Sequence, residues 1–167
     1  MTHELKPISH DSIARALEKA ERYRLLNEPF FAESICQDVL AIEPEHAAAL
    51  RIFVLALTDQ FDRGEGDRVA RVKAAIAKLP TEYERLYYTG ILAERRAVAL
   101  LTRDHMGAGA VAWGHLQDAL VSYGKADAVQ TDDSNDDAVL RHNTCVRLID
   151  LHGLREPVVD HGDYPLE

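Results

Sequence analysis

The chain has 167 residues, 47% of them hydrophobic, and 28 acidic against 19 basic side chains give it a formal net charge of −9. That suits one domain with its own core, and the acidic balance argues against nucleic acid and anionic membranes as partners. MTHELKPISHDS at the N-terminus lacks the layout of a signal peptide, and no stretch is apolar for long enough to span a membrane.

Helical spacing dominates and no segment alternates as a strand does. Ile13, Ala16, Leu17, Ala20, Tyr23 and Leu26 or Asn27 form the first apolar stripe, with Ser9 or Asp11 as its expected cap. NEP breaks this helix, and Pro29 suits the first turn of the next. Phe31 or Ala32, Ile35, Cys36, Val39, Leu40 and Ile42 mark the second inward face, ended by Pro44. The third helix is expected from about Ala47 to Asp62, with Leu50, Phe53, Val54, Leu57 and Phe61 inward. RGEGD is a turn, and Val69, Val72, Ala75, Ile76 and Leu79 mark a fourth helix that stops at Pro80.

Thr81 and Glu84 have the spacing of a capping box for a longer fifth helix ending near Arg103. DHMGAG is the next break. The sixth helix carries Val111, Leu116, Ala119, Leu120, Tyr123 and Ala126. Ser134 with Asp137 gives a second expected capping box, for a seventh helix that reaches about His152 with Gly153 as its stop. The expectation is an all-α fold over residues 1–153, with helices paired one–two, three–four and five–six and a lone seventh, then a non-helical tail over 154–167.

Within the first pair, Ala20, Tyr23, Ala32, Cys36, Val39 and Pro44 are separated by three, nine, four, three and five residues. This pattern resembles the tetratricopeptide repeat (TPR), a helix–turn–helix of about 34 residues in which small residues let helices approach and a proline ends the second helix. A second copy runs from Ala47 to Pro80 with an apparent insertion in RGEGDR. In a third, Tyr87 to Gly90 resembles the end of a first helix. Ala119, Tyr123 and Ala126 repeat the four-then-three spacing, and Thr131 replaces the proline. The resemblance implies a TPR-like right-handed superhelix of about three antiparallel helix pairs. The seventh helix closes the stack: Val139, Val146 and Ile149 are expected to face it, and Arg141, Arg147 and Asp150 water.

The resemblance also implies a concave groove lined by first helices. Its candidate binding residues are Leu17, Glu21 and Arg24, then Arg51, Ile52 and Leu55, then Glu84, Tyr87, Tyr88, Ile91 and Glu94. Leu55, Tyr87, Tyr88 and Ile91 are expected to form an apolar, aromatic patch suited to a partner helix, unless ERLYY is core. Family members that grip a C-terminal carboxylate use a largely basic set. Here the matching positions are Leu17, Glu21, Ile52, Glu84 and Tyr88, which excludes that function.

Other motifs carry little chemistry. His142 and Cys145 are two possible metal ligands on one helix face, short of a site, and a packed thiol beside a surface histidine is the simpler reading. DDSNDD lacks the glycine and glutamate of a calcium loop. GAGAVAWG follows a helix and has no Lys-Ser/Thr, so it reads as a flexible break rather than a phosphate cradle, with Trp113 anchoring that corner or sitting at an interface. Glu94, Arg95 and Arg96 read as a solvated or groove-edge charge cluster. Cys36 and Cys145 form no CxxC, so a reducing cytoplasm is the expected location.

No catalytic residue, metal or cofactor is expected. The functional expectation is a protein–protein interaction scaffold or adaptor that binds a partner protein or peptide, with a homodimer contact possible. The alternatives are a small helical enzyme with an acid/His site in the groove, and a chaperone similar to three-repeat secretion chaperones.

Overall fold

The structure, a computed structural model, describes residues 3–103 and 107–157. Among these residues there are seven α-helices, two single 3₁₀ turns and no strand. The helices are α1 (Ile13–Leu25), α2 (Pro29–Ile42), α3 (Ala47–Thr58), α4 (Arg68–Ala77), α5 (Glu82–Thr102), α6 (Ala108–Val129) and α7 (Asp137–Leu151). The all-α class expected from periodicity is the class that forms.

Local chemistry sets most boundaries. Pro29 opens α2 at a position where its missing N–H costs nothing. Thr81 Oγ1 accepts the Glu84 N–H at 3.1 Å while the Glu84 carboxylate accepts the Thr81 N–H at 3.2 Å, the expected capping box. The helices α1 and α7 both end in a Schellman arrangement. After α1, Asn27 takes φ 59° and Glu28 N–H reaches Tyr23 O; after α7, Gly153 takes φ 58° and Leu154 N–H reaches Ile149 O.

Several boundaries depart from expectation. Neither Ser9 nor Asp11 caps α1; a 3₁₀ turn at His10–Ser12 precedes it, and Ser12 Oγ donates to Ser9 O at 2.7 Å. The third helix stops at Thr58, and Phe61 is buried from a separate 3₁₀ turn. The Ser134–Asp137 box does not form, because Ser134 gives both its N–H and its hydroxyl to Asp132 Oδ1. Most of GAGAVAWG is helix rather than a break, since α6 begins at Ala108. Asp104, His105 and Met106 of the expected DHMGAG break lie outside the described residues, as does the expected tail from residue 158 on; Leu154–Pro157 carry no helix.

Each helix packs on the next in the chain, α1 also touches α3, and α3 touches α5. The longest interface joins α5 and α6. One core cluster joins α1–α4 with Leu92 and Ala99 of α5, and a second joins α5, α6 and α7 around Ile91, Leu116, Tyr123 and Cys145. α3 is buried almost all round, as a central helix must be. The closing helix presents Ala138 and Cys145 inward rather than Val139 and Val146, while Ile149 packs on the second cluster as expected. Arg141, expected in water, reaches back into the fold.

Candidate functional site

The odd helices carry all the groove candidates, and the structure brings several of them together. On α1, Leu17 is buried while Glu21 is exposed and Arg24 half-buried. Arg24 Nε donates to Asp59 Oδ2 at 2.8 Å, and Arg95 approaches the other oxygen of Asp59 at 3.5 Å. This Arg–Asp–Arg chain ties α1, α3 and α5 together. Arg51 on α3 donates to Glu84 on α5 at 2.6 Å. Burial pushes the Glu84 carboxyl up, but bonds from Arg51 and Thr81 outweigh it and hold the group below its ordinary value. Much of the charge on these candidates is therefore already paired within the chain.

The aromatic patch is partly core. Ile91 is buried in the second cluster, and Leu55, Tyr87 and Tyr88 are half-buried against it. Tyr87 lies in a chain of rings, stacked on Tyr83 at 5.7 Å, edge-on to Tyr88 at 5.3 Å and tilted against Tyr123 at 5.8 Å. The Tyr88 phenol is pushed up to about 12, first by burial and then by Tyr87.

Glu94 is not a groove-edge charge. Its carboxylate is buried and accepts the Tyr123 hydroxyl at 2.7 Å and Arg141 Nη1 at 2.9 Å, with Cys145 Sγ at 4.0 Å. Three helices thus meet on one carboxylate. Burial, then Glu94, pushes the Tyr123 phenol far up. Burial opposes the charge on Arg141, but the Glu94 carboxylate outweighs it and raises the guanidinium. The neighbours named with Glu94 are also paired: Arg96 Nε donates to Glu65 at 2.9 Å. A second buried carboxylate, Glu33, went unread in the sequence; it accepts Gln60 Nε2 at 2.7 Å and Arg71 Nη2 at 2.6 Å.

The thiols are packing groups. Burial pushes Cys36 up to about 12, with Arg24 pulling it back, and burial and then Glu94 push Cys145 up to about 12. Both thiols should resist a disulfide reagent in the folded chain near neutral pH and react fully in guanidinium. Since each folded value exceeds the ordinary 9.0, the linked stability is intact below about pH 9 and drains away as pH rises toward 12. Rapid labelling of the native protein would contradict this. Among the described residues no group of three His, Cys, Asp or Glu side chains is placed to hold a metal, and no helix is long and apolar enough to cross a membrane.

An open trough of about 450 Å³ lies between the N-terminal end of α1 and the start of α3. Buried Ile13, Leu17 and Ile52 form its floor, with Ala14 and Ala48 beside them. Asp11, Glu18, Glu21 and Glu43 stand around it, and its described lining includes no Lys or Arg. At its mouth Glu43 meets His10 at 2.5 Å and His46 at 4.0 Å. His46 Nδ1 is engaged by the Ala49 N–H at 3.3 Å as the cap of α3, so this group pins the α2–α3 turn to the N-terminal 3₁₀ turn. The trough thus gathers three of the sequence candidates, Leu17, Glu21 and Ile52. Comparison with protein-family models, with curated proteins and with solved structures finds no match to this chain.

Proposed function

We propose that the chain is a non-catalytic binding module, a TPR-like stack that holds an aliphatic, basic segment of another protein in the α1–α3 trough. The observation that carries this reading is the trough's chemistry: an aliphatic floor of Leu17 and Ile52 under a rim of carboxylates, with no Lys or Arg in its described lining. Such a surface favours a segment that sets Leu, Ile or Val into the floor and Lys or Arg against the rim. The stacked reading is supported by each helix packing on its successor while α1, α3 and α5 also touch in turn. The two unpaired thiols suit a reducing compartment such as the cytoplasm.

The acid–histidine group at the trough mouth is the feature an enzyme would need, and we assign it to structure because His46 is occupied in capping α3. The test is selection of peptides from a random display library on the folded chain. Enriched peptides should combine aliphatic and cationic residues, and they should lose at least about tenfold in affinity for Glu18→Lys with Glu21→Lys. Enrichment of acidic peptides, or equal binding to the variant, would refute the reading.

A further inference from the structure

The first and last helices of a stack each lack a neighbour on one side, and both ends of this one expose apolar surface. At the α1–α2 corner Leu25 is 87%, Leu26 63%, Phe30 59% and Phe31 51% exposed. The Phe30 and Phe31 rings lie 5.7 Å apart and Phe31 lies 5.3 Å from Tyr23, so the aromatic surface is continuous. Isolated exposed apolar residues need no explanation, but a contiguous aromatic patch marks an interface. Beside it, Arg15, Lys19 and Arg22 line a hollow of about 520 Å³ on the outer side of α1, with Glu18 the acid in its described lining. This is a basic face on a chain of net charge −9.

The other end is its complement. Asp132, Asp133, Asp136 and Asp137 are all exposed where the chain enters α7. On α7 itself Val139, Leu140, Val146 and Leu151 are exposed, with Arg147 the base among them.

We propose that the chain self-associates head to tail, the α1–α2 corner of one copy docking on α7 and its preceding acidic turn in the next. A symmetric pairing of two α1–α2 corners would set Arg15, Lys19 and Arg22 against themselves, and two α7 ends would oppose four aspartates each. The head-to-tail contact instead matches basic with acidic and apolar with apolar. Apart from Glu18, which borders both, it uses a different surface from the trough, and its test changes no trough residue, so it stands or falls apart from the binding function. A heterologous contact leaves each copy with one free end, so assembly grows with concentration into a ring or an open chain, and salt weakens its charged part.

Sedimentation velocity across a concentration series should give masses above the monomer that fall as salt is raised. Leu26→Ser with Phe30→Ser, and separately Leu140→Ser with Val146→Ser, should each weaken self-association by more than about tenfold. All four positions are exposed, and circular dichroism confirms that the variants fold. Mixing the two variants should yield a one-to-one pair and nothing larger, because each supplies the end that the other lacks. For a variant that fails to fold, Asp133→Asn with Asp136→Asn replaces the α7 pair and Lys19→Gln with Arg22→Gln the corner pair. A wild-type chain that stays monomeric at every concentration overturns the proposal. So does a dimer that survives one end's substitutions, or binding to anionic vesicles in place of self-association.

Discussion

Arg141→Met is expected to lower unfolding stability by about 3 kcal/mol, because it strands a buried carboxylate. Glu94 has a side chain only 5% exposed, and after the change its one remaining described hydrogen bond of ordinary length is to Tyr123. Arg141 is itself 32% exposed, which moderates the loss. The Arg141 contact with Glu94 also helps fix α7 to α5, so amide exchange in α7 should quicken more than in α1–α4. The companion variant, Glu94→Gln with Arg141→Met, removes both charges while the amide oxygen can still accept the Tyr123 hydroxyl, and it should recover part of the loss, since the uncompensated buried charge is gone. Urea unfolding of the single and double variants measures this. A single-variant loss below about 1 kcal/mol would mean that solvent screens the pair as it does on a surface.

The order and number of the helices, and several of their limits, were legible because their signals are local. Pro29, Pro44 and Pro80 punctuate the chain, and the Thr81–Glu84 box needs only groups three residues apart. The Ser134 box failed for an equally local reason, a competing acceptor at Asp132. Inward faces were read less well, and the errors share a cause. Ala32 is buried where Phe31 was the other choice, Ala112 where Val111 was expected, and Ala138 and Cys145 where Val139 and Val146 were. In each case the smaller neighbour went in. Hydrophobicity alone ranks the larger side chain as core, whereas two closely packed helices have room for the smaller one. The same rule leaves Phe31 of α2 and Val139 and Val146 of α7 exposed.

Long-range pairing was not legible. Glu94 shares a helical face with Gly90, Ile91 and Ala97, which was the available sign that it turns inward. Its partner Arg141 comes 47 residues later on another helix, and nothing in either segment names the other. Of the groove candidates, Leu17, Glu21 and Ile52 reach the open trough, while Arg24, Arg51 and Glu84 are held in internal ion pairs and Ile91 is buried.

Gly90→Ala tests the close packing of α5 on α6. In an unconstrained helix this change stabilises by about 1 kcal/mol, because alanine loses less backbone freedom. Here an added Cβ would lie 2.5, 2.7 and 2.9 Å from three carbons of the Tyr123 ring. That ring is fully buried, and its hydroxyl is bound to Glu94 at 2.7 Å. It can move aside only by giving up the bond or by parting the two helices. Overpacking of this kind costs about 1–3 kcal/mol and sometimes more, and weakening a hydrogen bond to a buried carboxylate adds to it. The clash therefore outweighs the helical gain, and a net loss of about 2 kcal/mol is expected. In a domain of this size that lowers Tm by roughly 4–8 °C. Gly124→Ala on α6 is the control, since a Cβ there meets nothing within 4 Å, and it should stabilise the chain slightly. In a Tyr123→Leu background the cost of Gly90→Ala should shrink toward zero, the mark of a direct contact in a double-mutant cycle. Equal shifts for Gly90→Ala and Gly124→Ala, or an undiminished cost without the ring, would place the strain elsewhere.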